Sequence, residues 1–275
     1  MGQEQEISHF VILLTLAHNL SDSFALYKKK KMEYKDFNRM VNEAEGSSRR
    51  SFSPSITFPA LMRKVYVWMT LAMAITGITA YGVATSPAIL GMIFGSKLVF
   101  WGLIIAELAL VFGISGMLHK ISITTATLMF VAYSVINGAV LSSIFLAYTM
   151  ESIGQVFFIT AGTFGAMALV GYTTKKDLTS MGKILFMALI GLIIATVVNI
   201  FVGSTGMQTI ISYIGVLIFV GLTAYDSQKI KMMLAEQDVY DEGAQKLALI
   251  GALTLYLDFI NLFIYLLRIF GSKRD

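Results

Sequence analysis

Residues 255–271 read LYLDFINLFIYLLRIFG, a nearly continuous apolar segment that carries one aspartate, one asparagine and one arginine. A segment of this length and apolarity is typical of a helix that crosses a membrane. A charge at the centre of a bilayer costs about 2.5–3.5 kcal/mol on insertion scales. Asp258 is therefore expected to be protonated, paired or facing water, and not to be exposed to lipid.

Long runs without charged residues recur along the whole chain. Of its 275 residues, 56% are hydrophobic and 14% are charged, whereas soluble domains average about 25% charged residues. No Asp, Glu, Lys or Arg occurs in residues 65–96, 121–150, 152–174 or 184–225. Uncharged runs of at least about 18 residues predict membrane helices, whereas a β-barrel would show alternating strands of roughly 10 residues. We therefore predict an all-α polytopic membrane protein.

Seven hydrophobic segments predict a bundle of seven transmembrane helices. The segments are residues 65–84, 98–118, 123–148, 153–173, 184–203, 207–226 and 247–270. Turn-forming residues separate them, and GSTG at 203–206 divides an uncharged run that is too long for one crossing.

Residues 1–64 are predicted to be a cytoplasmic tail and linker, and residues 65–275 the transmembrane domain. The apolar stretch at 9–20 follows two glutamates and no Lys or Arg, which argues against a secretory signal. The net charge of +4 is too small and too dispersed to indicate nucleic-acid binding, and without cysteine there is no disulfide or thiolate chemistry.

The distribution of Lys and Arg predicts the orientation in the membrane. Loops on the side of the N-terminus are rich in lysine, namely Lys120, then Lys175, Lys176 and Lys183, then Lys229, Lys231 and Lys246. The loops on the other side carry only Lys97 before the last helix. By the positive-inside rule the N-terminus faces the cytoplasm. A full seventh crossing places Lys273 and Arg274 outside, against the rule, and a segment that dips in and returns would avoid this. We expect the full crossing, because about 24 residues suffice to span.

The seventh segment carries a polar stripe. The 3.6-residue helical period places Thr254, Asn261, Tyr265 and, more loosely, Arg268 on the same face as Asp258. The helix should therefore stand inside the bundle. Two interpretations stay open: the stripe faces a cavity, or it is a buried polar network that only holds helices together.

Two further acids lie in or at the end of apolar segments. Glu107 lies within the second segment, and Asp226 closes the sixth, in GLTAYDSQKIK at 221–231. Taken alone, Asp226 would be an ordinary acid at a helix end. Asn137 and Asn199 are predicted to form hydrogen bonds between helices.

The joint pattern of GLTAYDSQKIK at 221–231 and LTLYLDFINLFIYLLRIFG at 253–271 resembles the signature segments of the Bax inhibitor family, also called the transmembrane Bax inhibitor motif family. The resemblance covers about residue 60 to the C-terminus. It implies seven transmembrane helices with the last one central, and a hydrogen-bonded pair of Asp226 and Asp258 that closes a pore. Members are associated with pH-dependent calcium leak and, in animals, with suppression of cell death.

The chemistry of paired acids suits such a role. Two carboxylates at hydrogen-bond distance in a low dielectric share one proton, because both cannot ionise cheaply. Such a pair holds two helices together while it keeps its proton and can part when it loses it. Carboxylate oxygens are also ligands that Ca²⁺ prefers, so Asp226 and Asp258 are candidate transient Ca²⁺ ligands.

In similar proteins an acid midway along the second helix is thought to interact with an arginine at the inner end of that helix. Here that end reads GMLHK, at 116–120, with His119 and Lys120 and no arginine. Lys120 would supply a point charge to Glu107 without bidentate geometry. His119 would titrate near pH 6.5 or be merely solvated.

Two functions remain open at this stage. The first is a pH-gated leak for Ca²⁺ or other cations in the lipid bilayer. The second is a regulator that binds another membrane protein, such as a membrane protease, as some bacterial relatives are thought to do.

An enzyme is not expected, since HExxH and GxSxG are absent and the GxGD of intramembrane aspartyl proteases is missing. No cofactor is expected. The short loops and the absence of cysteine and of an organelle signal favour a bacterial plasma membrane.

Overall fold

In the computed structural model, the residues described are 54–118 and 120–274. Most of the predicted tail, and His119, lie outside them. The described residues form nine helices and no strand: α1 (Pro54–Ala84), α2 (Pro87–Gly95), α3 (Lys97–Met117), α4 (Ile123–Leu141), α5 (Ile144–Ala147), α6 (Met150–Thr173), α7 (Thr179–Val202), α8 (Thr205–Ala235) and α9 (Glu242–Phe270).

Seven spans in these helices are long and apolar enough to cross a membrane, with α4 and α5 counted as one. The all-α polytopic architecture is therefore confirmed. Large apolar side chains on the outside, such as Leu98, Phe158 and Phe201, are exposed, as a surface that faces lipid requires.

Two helices extend well past their predicted bounds. Helix α1 begins at Pro54, whereas the first segment was predicted to begin at residue 65, and its Lys64 donates a hydrogen bond to Gln245 of α9 at 2.5 Å. Helix α8 continues to Ala235 instead of ending near residue 226. Polar residues did not end these helices, because Lys64 and Lys231 form hydrogen bonds with other helices and the neighbouring apolar side chains are buried.

Helix α9 is the centre of the bundle. Every residue from Leu255 to Leu267 is buried, and α9 packs against α1, α4, α6 and α8. It is one unbroken helix that starts where the Asp241 carboxylate accepts the N–H of Ala244 at 2.7 Å. Just past its other end, the Ser272 carbonyl accepts the N–H of Thr149, which precedes α6. Helix α9 therefore runs the full length of the bundle and does not turn back.

Glycines allow some helices to approach closely. A Cβ at Gly171 of α6 would overlap the carbonyl oxygen of Ala224 on α8, and a Cβ at Gly215 of α8 would meet the Tyr265 ring of α9. Small residues at contacts of this kind allow membrane helices to pack by van der Waals contact. Both contacts lie on the N-terminal side of Asp226 in α8, one with α6 and the other with α9.

Candidate functional site

The two aspartates lie on facing helices. Asp226 projects from the interior of α8, nine residues before its end, and Asp258 from the middle of α9. Their carboxyl groups lie close enough to each other to interact. Asp258 is 5% exposed, and Asp226 is half-buried. The expectation that Asp226 is a helix-end acid is wrong, because α8 continues past it.

Among the described residues, a lysine and buried polar atoms without a hydrogen-bond partner lie at the pair. Lys229, three residues after Asp226 on α8, interacts electrostatically with both carboxyls. The Oδ2 atom of Asp258 has no hydrogen-bond partner among the described residues, and neither has the buried hydroxyl of Ser227. The carboxyls therefore have hydrogen-bonding capacity left for a proton, water or an ion.

Two other polar side chains of the predicted stripe form hydrogen bonds with backbone carbonyls of α9 itself. Thr254 donates to the carbonyl of Ile250 at 3.0 Å, and Asn261 donates to the carbonyl of Leu257 at 2.7 Å.

Tyr265 and Arg268 lie further towards the C-terminal end of α9. The Tyr265 ring stacks on Phe219 of α8 at a centroid distance of 5.8 Å, and the Arg268 guanidinium lies 5.4 Å from the Tyr265 centroid. The stripe thus faces α8, and the pairing of two acids is confined to Asp226 and Asp258.

A second buried polar cluster surrounds Glu107. Glu107 is fully buried, and its Oε1 accepts a hydrogen bond from Asn137 Nδ2 at 3.2 Å. Asn137 Oδ1 accepts from the Tyr256 hydroxyl at 3.0 Å, and that hydroxyl lies 2.7 Å from Thr76 Oγ1. Thr76 in turn donates to the carbonyl of Ser134. The cluster joins α1, α3, α4 and α9.

The two clusters lie on opposite sides of α9. Tyr256 and Asp258 are two positions apart, which is about 200° around a helix. The central helix therefore carries the acid pair towards α8 and the Glu107 cluster towards α3 and α4.

The structure does not bring Lys120 to Glu107. Lys120 is exposed beyond the end of α3, whereas Glu107 is bonded to Asn137 within the bundle. The interhelical role predicted for Asn137 is confirmed. That predicted for Asn199 is wrong, because its Oδ1 accepts the N–H of Ser204 in the turn between α7 and α8.

Sequence reasoning missed three residues of these clusters. Lys229 was assigned only to the charge of a loop, although its spacing of three from Asp226 on one helix gives a usable signal. Tyr256 and Thr76 carried no such signal, because tyrosine and threonine are common in apolar segments and only the packing identifies their partners.

No described residues form a group of three or more His, Cys, Asp or Glu that could hold a metal ion. Two carboxyls supply at most four oxygens, whereas Ca²⁺ takes six to eight. A Ca²⁺ ion at Asp226 and Asp258 would therefore keep part of its water.

Comparisons with known proteins agree with this architecture. The family described as inhibitor of apoptosis-promoting Bax1 matches residues 59–275. The inner membrane protein YbhL of Escherichia coli is 48% identical over 222 residues, which cover 80% of this chain and 95% of that protein. A protein of Borreliella burgdorferi is 46% identical over 214 residues, covering 78% and 92% of the two chains. A membrane protein of Streptococcus pyogenes is 42% identical over 185 residues, covering 67% and 80%. The chain, with its seven spans and central last helix, therefore belongs to the Bax inhibitor family.

Proposed function

We propose that this protein forms a proton-gated leak path for cations, with Ca²⁺ as the permeant ion, in the plasma membrane of a bacterial cell. The observation that carries the proposal is the close pair of the Asp226 and Asp258 carboxyls between α8 and α9. The name of the Escherichia coli relative, inner membrane protein YbhL, supports the location. No catalytic step and no cofactor are part of the proposal.

Gating follows from the electrostatics of the pair. With one shared proton, the two carboxyls attract through a hydrogen bond and hold α8 against α9. When the proton leaves, two unit charges about 4 Å apart repel by about 4 kcal/mol at an effective dielectric constant of about 20. That repulsion approaches the roughly 5.5 kcal/mol that moves a two-state equilibrium from 1:99 to 99:1. Lys229 offsets part of it, so separation of the helices is expected to be incomplete.

The sign of the pH dependence follows directly. At low pH the pair keeps its proton and the path is closed, and as pH rises the proton is lost and the path opens. In proteoliposomes loaded with a Ca²⁺ indicator, we expect Ca²⁺ influx through the wild-type protein to increase between pH 5 and pH 8. Asp258→Asn and Asp226→Asn each remove one titrating carboxyl, so their flux is expected to lose this pH dependence.

Asp177→Asn is the matched control, because Asp177 is an exposed acid in the loop between α6 and α7. Its flux should rise with pH as in the wild type. An unchanged pH profile in both pair variants contradicts the gating role. Absence of flux at every pH contradicts the leak itself and favours the regulator hypothesis, in which a partner membrane protein carries the activity.

A further inference from the structure

A groove of about 530 Å³ lies between α1 and α6. Its volume is in the range of roughly 300–1,000 Å³ that is typical of sites for small molecules. Phe259 of α9 is among its lining residues, while Thr70, Gly165 and Leu169 along it are exposed. The groove is therefore open to the surroundings of the bundle, on a surface that faces lipid.

The chemistry of the groove changes along its length. Most of the lining is apolar or aromatic, including Met69, Met73 and Phe164. Arg63, Tyr66 and Tyr172 gather at one end, the end at which α1 begins and α6 finishes. A ligand that fills the groove therefore has a long apolar part and a polar head near Arg63.

Positive charge dominates that end. Arg63 is exposed, and no described residue forms an ion pair with it. Lys231 lies 5.0 Å from the centroid of the Tyr172 ring and donates a hydrogen bond to the Tyr172 carbonyl. Exposed Lys175 and Lys176 follow in the next loop. The acid in that loop, Asp177, accepts a hydrogen bond from the N–H of Thr179 at 2.8 Å.

The depth of Arg63 matches a lipid headgroup. The span Thr57–Ala84 contains 28 residues, or about 42 Å of helix, which exceeds the hydrocarbon core of roughly 30 Å. The first turns of α1, with Arg63, therefore extend into the headgroup region, while Met69 and Met73 lie beside the acyl chains.

We propose that this groove is a binding site for one anionic phospholipid of the surrounding leaflet, with an acyl chain between α1 and α6 and the phosphate at Arg63. Arginine is well suited to phosphate, because its planar guanidinium donates two parallel hydrogen bonds. The neighbouring lysines add the attraction that basic residues near a membrane exert on anionic lipids. A zwitterionic lipid fills the same apolar groove but gains less at the charged end.

The test uses the full chain, purified in a nonionic detergent and titrated with phosphatidylglycerol or phosphatidylethanolamine, with bound lipid counted by native mass spectrometry. The wild type should retain one phosphatidylglycerol in preference to phosphatidylethanolamine. Arg63→Ala should weaken phosphatidylglycerol binding about fivefold, the loss expected for one basic residue near anionic lipid. Arg63→Lys should keep part of the preference.

Gly165→Leu tests the apolar part. A Cβ at Gly165 meets no protein atom within 4 Å, so the larger side chain enters the groove without a clash and should reduce binding of both lipids. Gly162→Leu is the matched control, since Gly162 has the same open surroundings and is not among the lining residues. Lys97→Ala controls for a basic residue at the opposite end of the bundle.

Equal retention of the two lipids by the wild type overturns the proposal. So does phosphatidylglycerol binding that neither Arg63→Ala nor Gly165→Leu reduces, because the lipid then sits elsewhere. Absence of any retained lipid also overturns it, and indicates that detergent or another part of the chain occupies the groove. These outcomes are independent of Ca²⁺ flux, so the leak proposal and the lipid site succeed or fail separately.

Discussion

Glu107 shows at the scale of one residue what a buried acid needs inside a membrane. Its Oε1 accepts one hydrogen bond from Asn137, and its Oε2 has no partner among the described residues. No cationic side chain among the described residues forms an ion pair with it. An unpaired buried charge is very costly, so we expect Glu107 to carry a proton and to act as a neutral hydrogen-bonding group.

That expectation predicts different outcomes for two substitutions. Glu107→Gln keeps the carbonyl acceptor for Asn137 and the volume, so the free energy of unfolding should change by less than about 1 kcal/mol. Glu107→Ala leaves a cavity and an unpaired amide, and should lose about 2–4 kcal/mol. Thermal unfolding in detergent, followed by tryptophan fluorescence, compares the two variants.

The exposed Glu151 provides the control, because Glu151→Gln and Glu151→Ala should both unfold close to the wild-type temperature. If Glu107→Gln is as unstable as Glu107→Ala, the carboxylate is charged and its charge is needed for folding.

The residue scale also separates what could be predicted from what could not. Hydropathy alone identified Asp258 and Glu107 as acids that need a partner, since few charged residues interrupt the apolar runs. The partner of Glu107 was not predicted, because Asn137 is 30 positions away on another helix and no local spacing connects the two.

At the scale of elements, the contact between α6 and α8 depends on one glycine. A Cβ at Gly171 would overlap the backbone carbonyl of Ala224, and Ala224 is two positions before Asp226. Backbone atoms cannot move aside as flexible side chains do, so the helices would have to separate.

Gly171→Ala should therefore lower the free energy of unfolding by about 1–3 kcal/mol, the usual cost of overpacking. Gly162→Ala on the same helix has open space around its Cβ and should change it by no more than about 0.5 kcal/mol. The midpoints of thermal unfolding in detergent report both. Equal midpoints for the two variants would show that α6 and α8 are not held in this close contact.

The bounds of α8 show why element ends are hard to predict. Lys229 and Lys231 suggested a loop by composition, yet both lie within the helix, and Ile230, Met233 and Leu234 around them are buried. Lys229 lies over the Tyr225 ring, and Lys231 bonds to the carbonyl of Tyr172. Long lysine stems can cover apolar surface while their ammonium groups find polar partners.

At the scale of the whole molecule, seven spans place the two ends of the bundle on opposite sides of the membrane. Lys273 lies with Tyr148 at one end, where the two form an isolated antiparallel bridge. Lys176 lies at the other end, where its carbonyl accepts from Gln228. The positive-inside rule predicts that the end with Lys176 faces the cytoplasm.

The absence of cysteine from the chain allows single cysteines to test this orientation. In intact cells whose periplasm is accessible, a membrane-impermeant maleimide should label Lys273→Cys and leave Lys176→Cys unlabelled. After lysis both should be labelled. Labelling of Lys176→Cys alone in intact cells would mean that the bundle is inserted the other way round. Labelling of both in intact cells would contradict the three crossings that separate the two positions.

The sequence by itself determined the class of fold, the seven spans and the need of Asp258 for a partner, because a hydrocarbon solvent makes length and charge decisive for each segment separately. The paired signature segments also identified the family. Tertiary structure alone decided that Glu107 accepts a hydrogen bond from Asn137, that Tyr256 donates to the same Asn137, and that α1 and α6 leave a groove. Those features depend on which faces of distant helices meet, and the solvent preference of a single segment does not specify its neighbour.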